Sequence, residues 1–410
     1  MSSLSERTFT LASGIAIGIA FVLFCDRKNL LISAITKQNP DSTDVLPDIK
    51  HGIEQAIGDT PLIRIKSLSD ATGCEILGKA EFLNPGNSPK DRVAKSIIEI
   101  AEKEGKITPN SGDMIYEGTV GSTGISLALL CRAKGYTAYI CMPDDQSKEK
   151  SDLLASLGAV VERVRPASIV DKNQFVNKAK ARAQEHTADK TRKGRGIFAD
   201  QFENEANWKA HYDSTAPEIY TQTGGQIDVF VAGAGTGGTI TGIARRLKPL
   251  IPNMLVVLAD PEGSGLMNKI NHGVMFSSTE KEGTRKRSQV DTIVEGIGIN
   301  RITRNLEAGR HLIDQAVRVT DEEAVAMSRH LVEKDGLFIG SSSAVNCVAA
   351  VRLAEQLGPG HRIVTILCDP GTRHLSKFHN KDYLTSSGKD VQGHLIFSTG
   401  KMSISHTVES

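Results

Sequence analysis

Apolar positions follow three regimes along this chain. Near the N-terminus, Phe9 to Cys25 (FTLASGIAIGIAFVLFC) is an uncharged run of 17 residues, close to the shortest helix that crosses a bilayer. The run continues straight into Asp26, Arg27 and Lys28 with no small-residue cleavage site, and only Arg7, offset by Glu6, precedes it closely. Those flanks fit neither a cleaved secretory signal nor a cleaved presequence. Residues 1–35 are therefore expected to be a membrane anchor, and a buried helix heading the globular part is the other reading. Arg27, Lys28 and Lys37 follow the run, which places the body on the cytosolic side by the positive-inside tendency. Residues 36–50 include the polar, proline-containing TKQNPDSTDVLP and read as a linker.

From His51 to about Thr385, short β-rich runs alternate with longer amphipathic ones. MIYEG precedes STGISLALLCRAKG, TAYICMP precedes KSDLLASLG, IDVFVAG precedes GTITGIARRLK, and MLVVLADP and HRIVTILCD follow. Such alternation predicts an α/β body of residues 51–385 with a mostly parallel sheet, whose ligands sit at the carboxyl ends of the strands. Gln184–Arg195 and Ser277–Gln289 interrupt the pattern with mixed charge and read as solvated surface loops. Residues 386–410 lack strong periodicity and read as a tail.

Composition narrows the partners. The 410 residues carry 49 lysines and arginines against 48 acids, a balance that points away from nucleic acid and toward a small-molecule substrate. Six cysteines show no paired spacing, so neither a disulfide framework nor a zinc or other metal site is expected, and the compartment reads as reducing.

Four segments carry the chemistry. Val229–Thr241 (VFVAGAGTGGTIT) reads as strand, glycine loop and first helical turn, an arrangement that presents backbone N–H groups and a helix N-terminus to a phosphate. Gly233, Gly235 and Gly238 also satisfy G-x-G-x-x-G, with Asp260 at nearly the spacing of a dinucleotide site, so a nicotinamide oxidoreductase is the rival class. Glu81–Arg92 (EFLNPGNSPKDR) places Lys90 at the opening of an amphipathic helix, where a helix start helps hold an amine near its uncharged form. Glu117–Gly124 (EGTVGSTG) is a glycine- and hydroxyl-rich turn suited to a carboxylate, and Phe338–Val345 (FIGSSSAV) is another turn of this kind.

With these motifs, from IGDTPLIRI to DPGTRHL, the chain resembles the fold-type-II pyridoxal-phosphate family, specifically the cysteine synthases (O-acetylserine sulfhydrylases), and within them the membrane-attached mitochondrial branch of fungi. The resemblance implies two α/β domains, a smaller lobe over about 92–200 and a larger one over about 51–91 and 201–385. It implies pyridoxal 5′-phosphate joined to Lys90, with its phosphate on Gly235, Thr236, Gly237, Gly238 and Thr239 and its ring nitrogen facing Ser342. Ser122 and Gly296 would also line the cofactor, and Thr119, Gly121, Thr123 and Gln201 would take the carboxylate of the amino-acid substrate. Implied too are β-replacement of acetate by sulfide, a homodimer, and a place on the mitochondrial outer membrane with the body facing the cytosol. A β-eliminating dehydratase or desulfhydrase on the same scaffold, and a weakly catalytic cofactor-binding protein at the membrane, are the alternatives. The family pattern T-S-G-N-T-G reads here Thr119-Val120-Gly121-Ser122-Thr123-Gly124, so Val120 lacks a hydroxyl and the Ser122 side chain is shorter than asparagine.

Overall fold

A computed structural model describes residues 49–146, 148–276, 292–389, 393–398 and 401–405. The expected anchor, nearly all of the linker and the Ser277–Gln289 stretch lie outside the described residues, among which no helix is long and apolar enough to cross a membrane.

The strands of the body are β1 (Leu62–Arg64), β2 (Glu75–Ala80), β3 (Met114–Gly118), β4 (Thr137–Pro143), β5 (Val160–Val164), β6 (Gly196–Phe198), β7 (Val229–Gly233), β8 (Leu255–Pro261), β9 (Gln315–Val319), β10 (Arg362–Leu367), β11 (His394–Ser398) and β12 (Lys401–Ser405). The larger sheet runs β1-β2-β10-β7-β8-β9 and the smaller β5-β4-β3-β6. Only β1 is antiparallel to its neighbour within these two sheets.

Strand periodicity explains why the larger sheet is covered on both faces. Val229 and Val231 of β7 and Ile363 of β10 face one apolar cluster, which includes the helix Ser341–Leu357. Phe230, Ala232 and Val364, one residue out of phase, face a second cluster that includes the helix Gly238–Leu247. The smaller sheet has its own cluster around Ile115, Ile140 and Leu127. Strands buried on both faces read as continuous apolar runs, the pattern seen in IDVFVAG.

Two polar segments differ from their expected form. The helix Phe175–Ala188 extends into Gln184–Arg195, because buried His186 meets the Tyr116 hydroxyl at 2.8 Å and holds the last helical turn to β3. In the tail, β11 and β12 form an antiparallel hairpin. Leu395, Phe397 and Met402 pack against the larger sheet's core while Ile396 is exposed, so the consecutive apolar residues of LIF mask an alternation of faces.

The helix Lys90–Lys103 is set in place by buried charge. Arg92 Nε and Nη2 donate to the two Glu81 oxygens at 2.8 and 2.9 Å, and Nη1 and Nη2 donate to Glu218 at 2.6 and 2.8 Å. Lys79 Nζ, on β2, donates to Glu218 at 2.6 Å. Burial raises the Glu218 carboxyl, but the Arg92 and Lys79 contacts outweigh it and hold the group at about 2.

Breaking such a buried pair from one side leaves a carboxylate uncompensated. Arg92→Met is expected to lower stability by ~3–5 kcal/mol, measured by urea denaturation; a loss below ~1 kcal/mol would mean the network is energetically idle. Because the folded Glu218 pKa lies below the ordinary carboxylate value, its stabilising contribution is complete above about pH 5 and falls as pH drops toward 2.

Candidate active site

The glycine loop, the lysine turn and the hydroxyl turn follow the carboxyl ends of β7, β2 and β3. The glycine loop leaves β7 and enters the helix Gly238–Leu247, with Gly237 as its N-cap at φ 80°. A side chain on Gly237 would be strained there and its Cβ would lie 2.5 Å from Leu306 Cβ. At Gly235 a Cβ would fall 2.3 Å from the Gly296 carbonyl oxygen, so the loop around Gly296 closes directly on this turn. Gly298 N–H donates to the Ala234 carbonyl at 2.9 Å and fixes that contact. The N–H groups of Thr236 and Gly237 make no hydrogen bond among the described residues, and the first helical turn adds its own orphan donors. The loop thus offers several aimed N–H groups and no side-chain cation, a cradle for a phosphate dianion.

Lys90 begins its helix directly after Pro89. The preceding turn is pinned by Asp91, whose carboxylate accepts from Gly86 N–H at 2.5 Å and from the Ser126 hydroxyl. The Lys90 amine makes no hydrogen bond or ion pair among the described residues. Burial lowers its pKa, with the Cys368 thiol and the Asp369 and Glu81 carboxylates acting in the opposite direction. A desolvated amine with a depressed pKa is the form that attacks a carbonyl and accepts a proton.

The hydroxyl-rich turn follows β3, and Gly121 caps the helix Ser122–Lys134. Thr123 Oγ1 donates to Gln201 Oε1 at 2.6 Å, and Thr119 Oγ1 accepts from Gly121 N–H at 3.3 Å. Beneath them Glu117 is fully buried with no cation beside it. Its oxygens accept from Gly118 N–H at 3.1 Å, Gln201 N–H at 3.2 Å and Gln201 Nε2 at 3.4 Å. Burial nevertheless pushes its carboxyl up to about 8.

Ser342 lies in the first turn of Ser341–Leu357, whose neighbouring Ser341 Oγ accepts from Glu295 N–H at 3.0 Å. The residues singled out from sequence therefore lie in loops or, for Lys90, Ser122, Thr123, Gly238, Thr239 and Ser342, in the first turns of helices, and hydrogen bonds or a close backbone approach join Gly235 to Gly296 and Thr123 to Gln201. Sequence reasoning missed four further groups. Asn207 Nδ2 donates to the Gln201 carbonyl at 2.7 Å and to Thr236 Oγ1 at 2.9 Å, linking the glycine loop to the Gln201 segment. His211 shares a hydrogen bond with Thr239 Oγ1 at 3.2 Å and another with Thr215 Oγ1 at 2.9 Å. Burial, with the Arg92 guanidinium and any positive charge on Lys90 acting in the same direction, holds that imidazole's pKa well below the ordinary value. Cys368 directly follows β10, where burial and Asp369 push its thiol up to about 11 against the pull of the Ser342 hydroxyl and Lys90. Arg373 donates to Ser122 Oγ at 2.9 Å and to the Gly86 carbonyl. The Pro370-Gly371 pair in DPGTRHL is a turn signal that could have drawn attention here, but no periodicity assigns the side chains that follow it. Asp260, which would face ribose in a dinucleotide site, is buried, and its Oδ2 accepts from Met267 N–H at 2.7 Å and pairs with Arg318 at 3.1 Å.

Comparison with known proteins agrees with this geometry. A "Cysteine synthase 2" of Emericella nidulans is 67% identical over 345 residues, covering 82% of this chain and 81% of that protein. A Saccharomyces cerevisiae protein named "Putative mitochondrial cysteine synthase" is 56% identical, covering 81% and 85%. Among solved structures, an O-acetylserine dependent cystathionine beta-synthase from Helicobacter pylori matches with TM-score 0.67 and 34% identity over 80% of this chain and 98% of that one. The profile of the family described as "Pyridoxal-phosphate dependent enzyme" matches residues 53–369, a span containing Lys90, the hydroxyl turn, the glycine loop and Ser342, and the chain belongs to that family.

Proposed function

We propose that this protein is a cysteine synthase, converting O-acetylserine and sulfide to cysteine and acetate with pyridoxal 5′-phosphate held on Lys90. The observation that carries the reading is a buried, charge-suppressed lysine close enough to His211 to act on it electrostatically, with His211 in turn bonded to Thr239 of an N–H cradle free of side-chain cations. Its support from relatives is their names, cysteine synthase for the most similar fungal proteins and O-acetylserine dependence for the Helicobacter pylori enzyme.

The residues present fit the cofactor. Gly235, Thr236, Gly237, Gly238 and Thr239 would hold the phosphate, with Gly296 closing the cradle and His211 orienting the Thr239 hydroxyl. Ser342 would meet the ring nitrogen as a neutral partner, and Ser122 would face the ring's other edge. When bound, the cofactor supplies the electron sink through which the α-proton and the β-substituent depart. Lys90 Nζ is the group that carries the cofactor and accepts the α-proton, a role its lowered pKa suits. Thr119, Gly121, Thr123 and Gln201 orient the substrate carboxylate. The Asn207–Gln201–Thr123 hydrogen bonds make that orientation depend on the position of the phosphate loop.

The same reading places the protein on the mitochondrial outer membrane, anchored through residues 1–35 with its body toward the cytosol and assembled as a homodimer. Support for the location is the Saccharomyces cerevisiae relative's name and the apolar run Phe9–Cys25.

Lys90→Ala is expected to give a folded, colourless protein with turnover reduced by about 10³-fold or more; a borohydride-reducible adduct remaining on another lysine would reassign the site. Gly237→Asp is expected to raise the dissociation constant for pyridoxal phosphate by at least about tenfold, since a carboxylate would occupy the dianion's place. Unchanged cofactor retention in a folded variant would remove the phosphate assignment. In membrane fractions, the full-length chain is expected to resist carbonate extraction and a chain lacking residues before about Pro40 to be soluble; extraction of the full-length chain would refute the anchor.

A further inference from the structure

Arg373 follows β10 in the short turn Gly371–His374. Its guanidinium reaches two other segments, donating through Nη1 to Ser122 Oγ at 2.9 Å and through Nη2 to the Gly86 carbonyl. Gly86 belongs to the turn that delivers Lys90, and Ser122 opens the helix behind the hydroxyl loop. One cation therefore couples the lysine turn to that loop. Burial lowers the pKa of this guanidinium, while the Asp369 and Asp91 carboxylates act to raise it. An arginine remains charged in such a setting.

The hydrogen-bond roles at Ser122 then follow from valence. Arg373 can only donate, so it occupies a lone pair on Ser122 Oγ. No other hydrogen bond reaches that hydroxyl oxygen among the described residues, since the bond from Ser126 goes to the Ser122 carbonyl at 3.0 Å. The single hydroxyl proton must therefore point away from the guanidinium. The adjacent cation polarises this O–H and strengthens it as a donor. Ser122 itself is half-buried, so the residue is not sealed off from a ligand.

We infer that Arg373 is a positioning residue that fixes the Ser122 hydroxyl as a charge-assisted donor to an anionic oxygen bound in the site. The inference rests on the cysteine synthase reading above, which supplies two such oxygens, the cofactor's ring oxygen and the substrate carboxylate. A guanidinium acting through a serine gives this chain a way to replace the amide of the longer side chain that Ser122 lacks.

The test uses the cofactor-loaded protein and the variants Ser122→Ala, Arg373→Ala, Arg373→Lys and the double alanine variant. The readouts are the visible cofactor band without substrate, the dissociation constant for pyridoxal phosphate, and that for L-alanine, an amino acid with no β-leaving group. Ser122→Ala and Arg373→Ala are expected to move the same readout in the same direction, by about tenfold in a dissociation constant. The double variant should move it no further than either single one, and Arg373→Lys should restore part of the effect. A shift in the band or in cofactor affinity identifies the ring oxygen, whereas weaker L-alanine binding with an unchanged band identifies the carboxylate. The inference is overturned if Ser122→Ala leaves all three readouts at wild-type values, including when Arg373→Ala changes them or does not fold. A wild-type protein with no borohydride-sensitive band would instead sink the cofactor reading itself, and this inference with it.

Discussion

The buried guanidinium of Arg92 is the constraint on which the site depends. Two residues after Lys90 on the same helix, it is held in bidentate fashion by Glu81 at the end of β2 and bonded again by Glu218. Arg92 and Glu81 are almost wholly removed from water, with side-chain exposures of 2% and 0%. Burying these charges is costly unless every donor and acceptor is matched, so the geometry admits little slack. The helix cannot rotate or slide without stranding a charge, and Lys90 on its first turn is held equally firmly. A bidentate arginine suits this role better than lysine because its planar fork fixes orientation as well as distance.

A second network joins the glycine loop to the hydroxyl loop. Thr236 in the glycine loop, Asn207, Gln201 and Thr123 in the hydroxyl loop are joined in series by hydrogen bonds of 2.9, 2.7 and 2.6 Å. Glu117 sits under this series, accepting from both the backbone and the side chain of Gln201. Burial without a cation makes its carboxyl basic, to about 8, yet its contacts are donors from N–H groups that favour the ionised form. The carboxyl is poised between its two states while it holds Gln201. The segment that positions a substrate carboxylate therefore rests on a buried acid, and the lysine turn rests on a buried base.

Much of this was legible in the sequence because local rules dictate it. The alternation of short apolar runs with amphipathic segments predicted a mostly parallel α/β body, and the glycine loop, the lysine turn and the hydroxyl turn each carried enough local chemistry to be found. Residues acting at long range were not legible. Asn207, His211, Arg373 and the Arg92 network look in sequence like ordinary polar positions, since their partners lie 29, 28, 287 and 126 residues away in the most distant bonds that define them. The tail escaped for the opposite reason, its hairpin strands being too short and too uniformly apolar at LIF to display a period.

The sequence by itself determined which residues are able to do chemistry here: an amine at a helix start, glycines that only a close ligand or a crowded backbone requires, and hydroxyls at strand ends. Those properties are local because they follow from side-chain type and backbone freedom over a few residues. Tertiary structure alone decided the state in which each group acts. Lys90 loses basicity through burial, Glu117 gains it for the same reason, and Ser122 becomes a committed donor through a guanidinium from another segment. Desolvation and hydrogen-bond direction depend on which distant segments pack together, and that is settled only when both sheets and their loops are assembled.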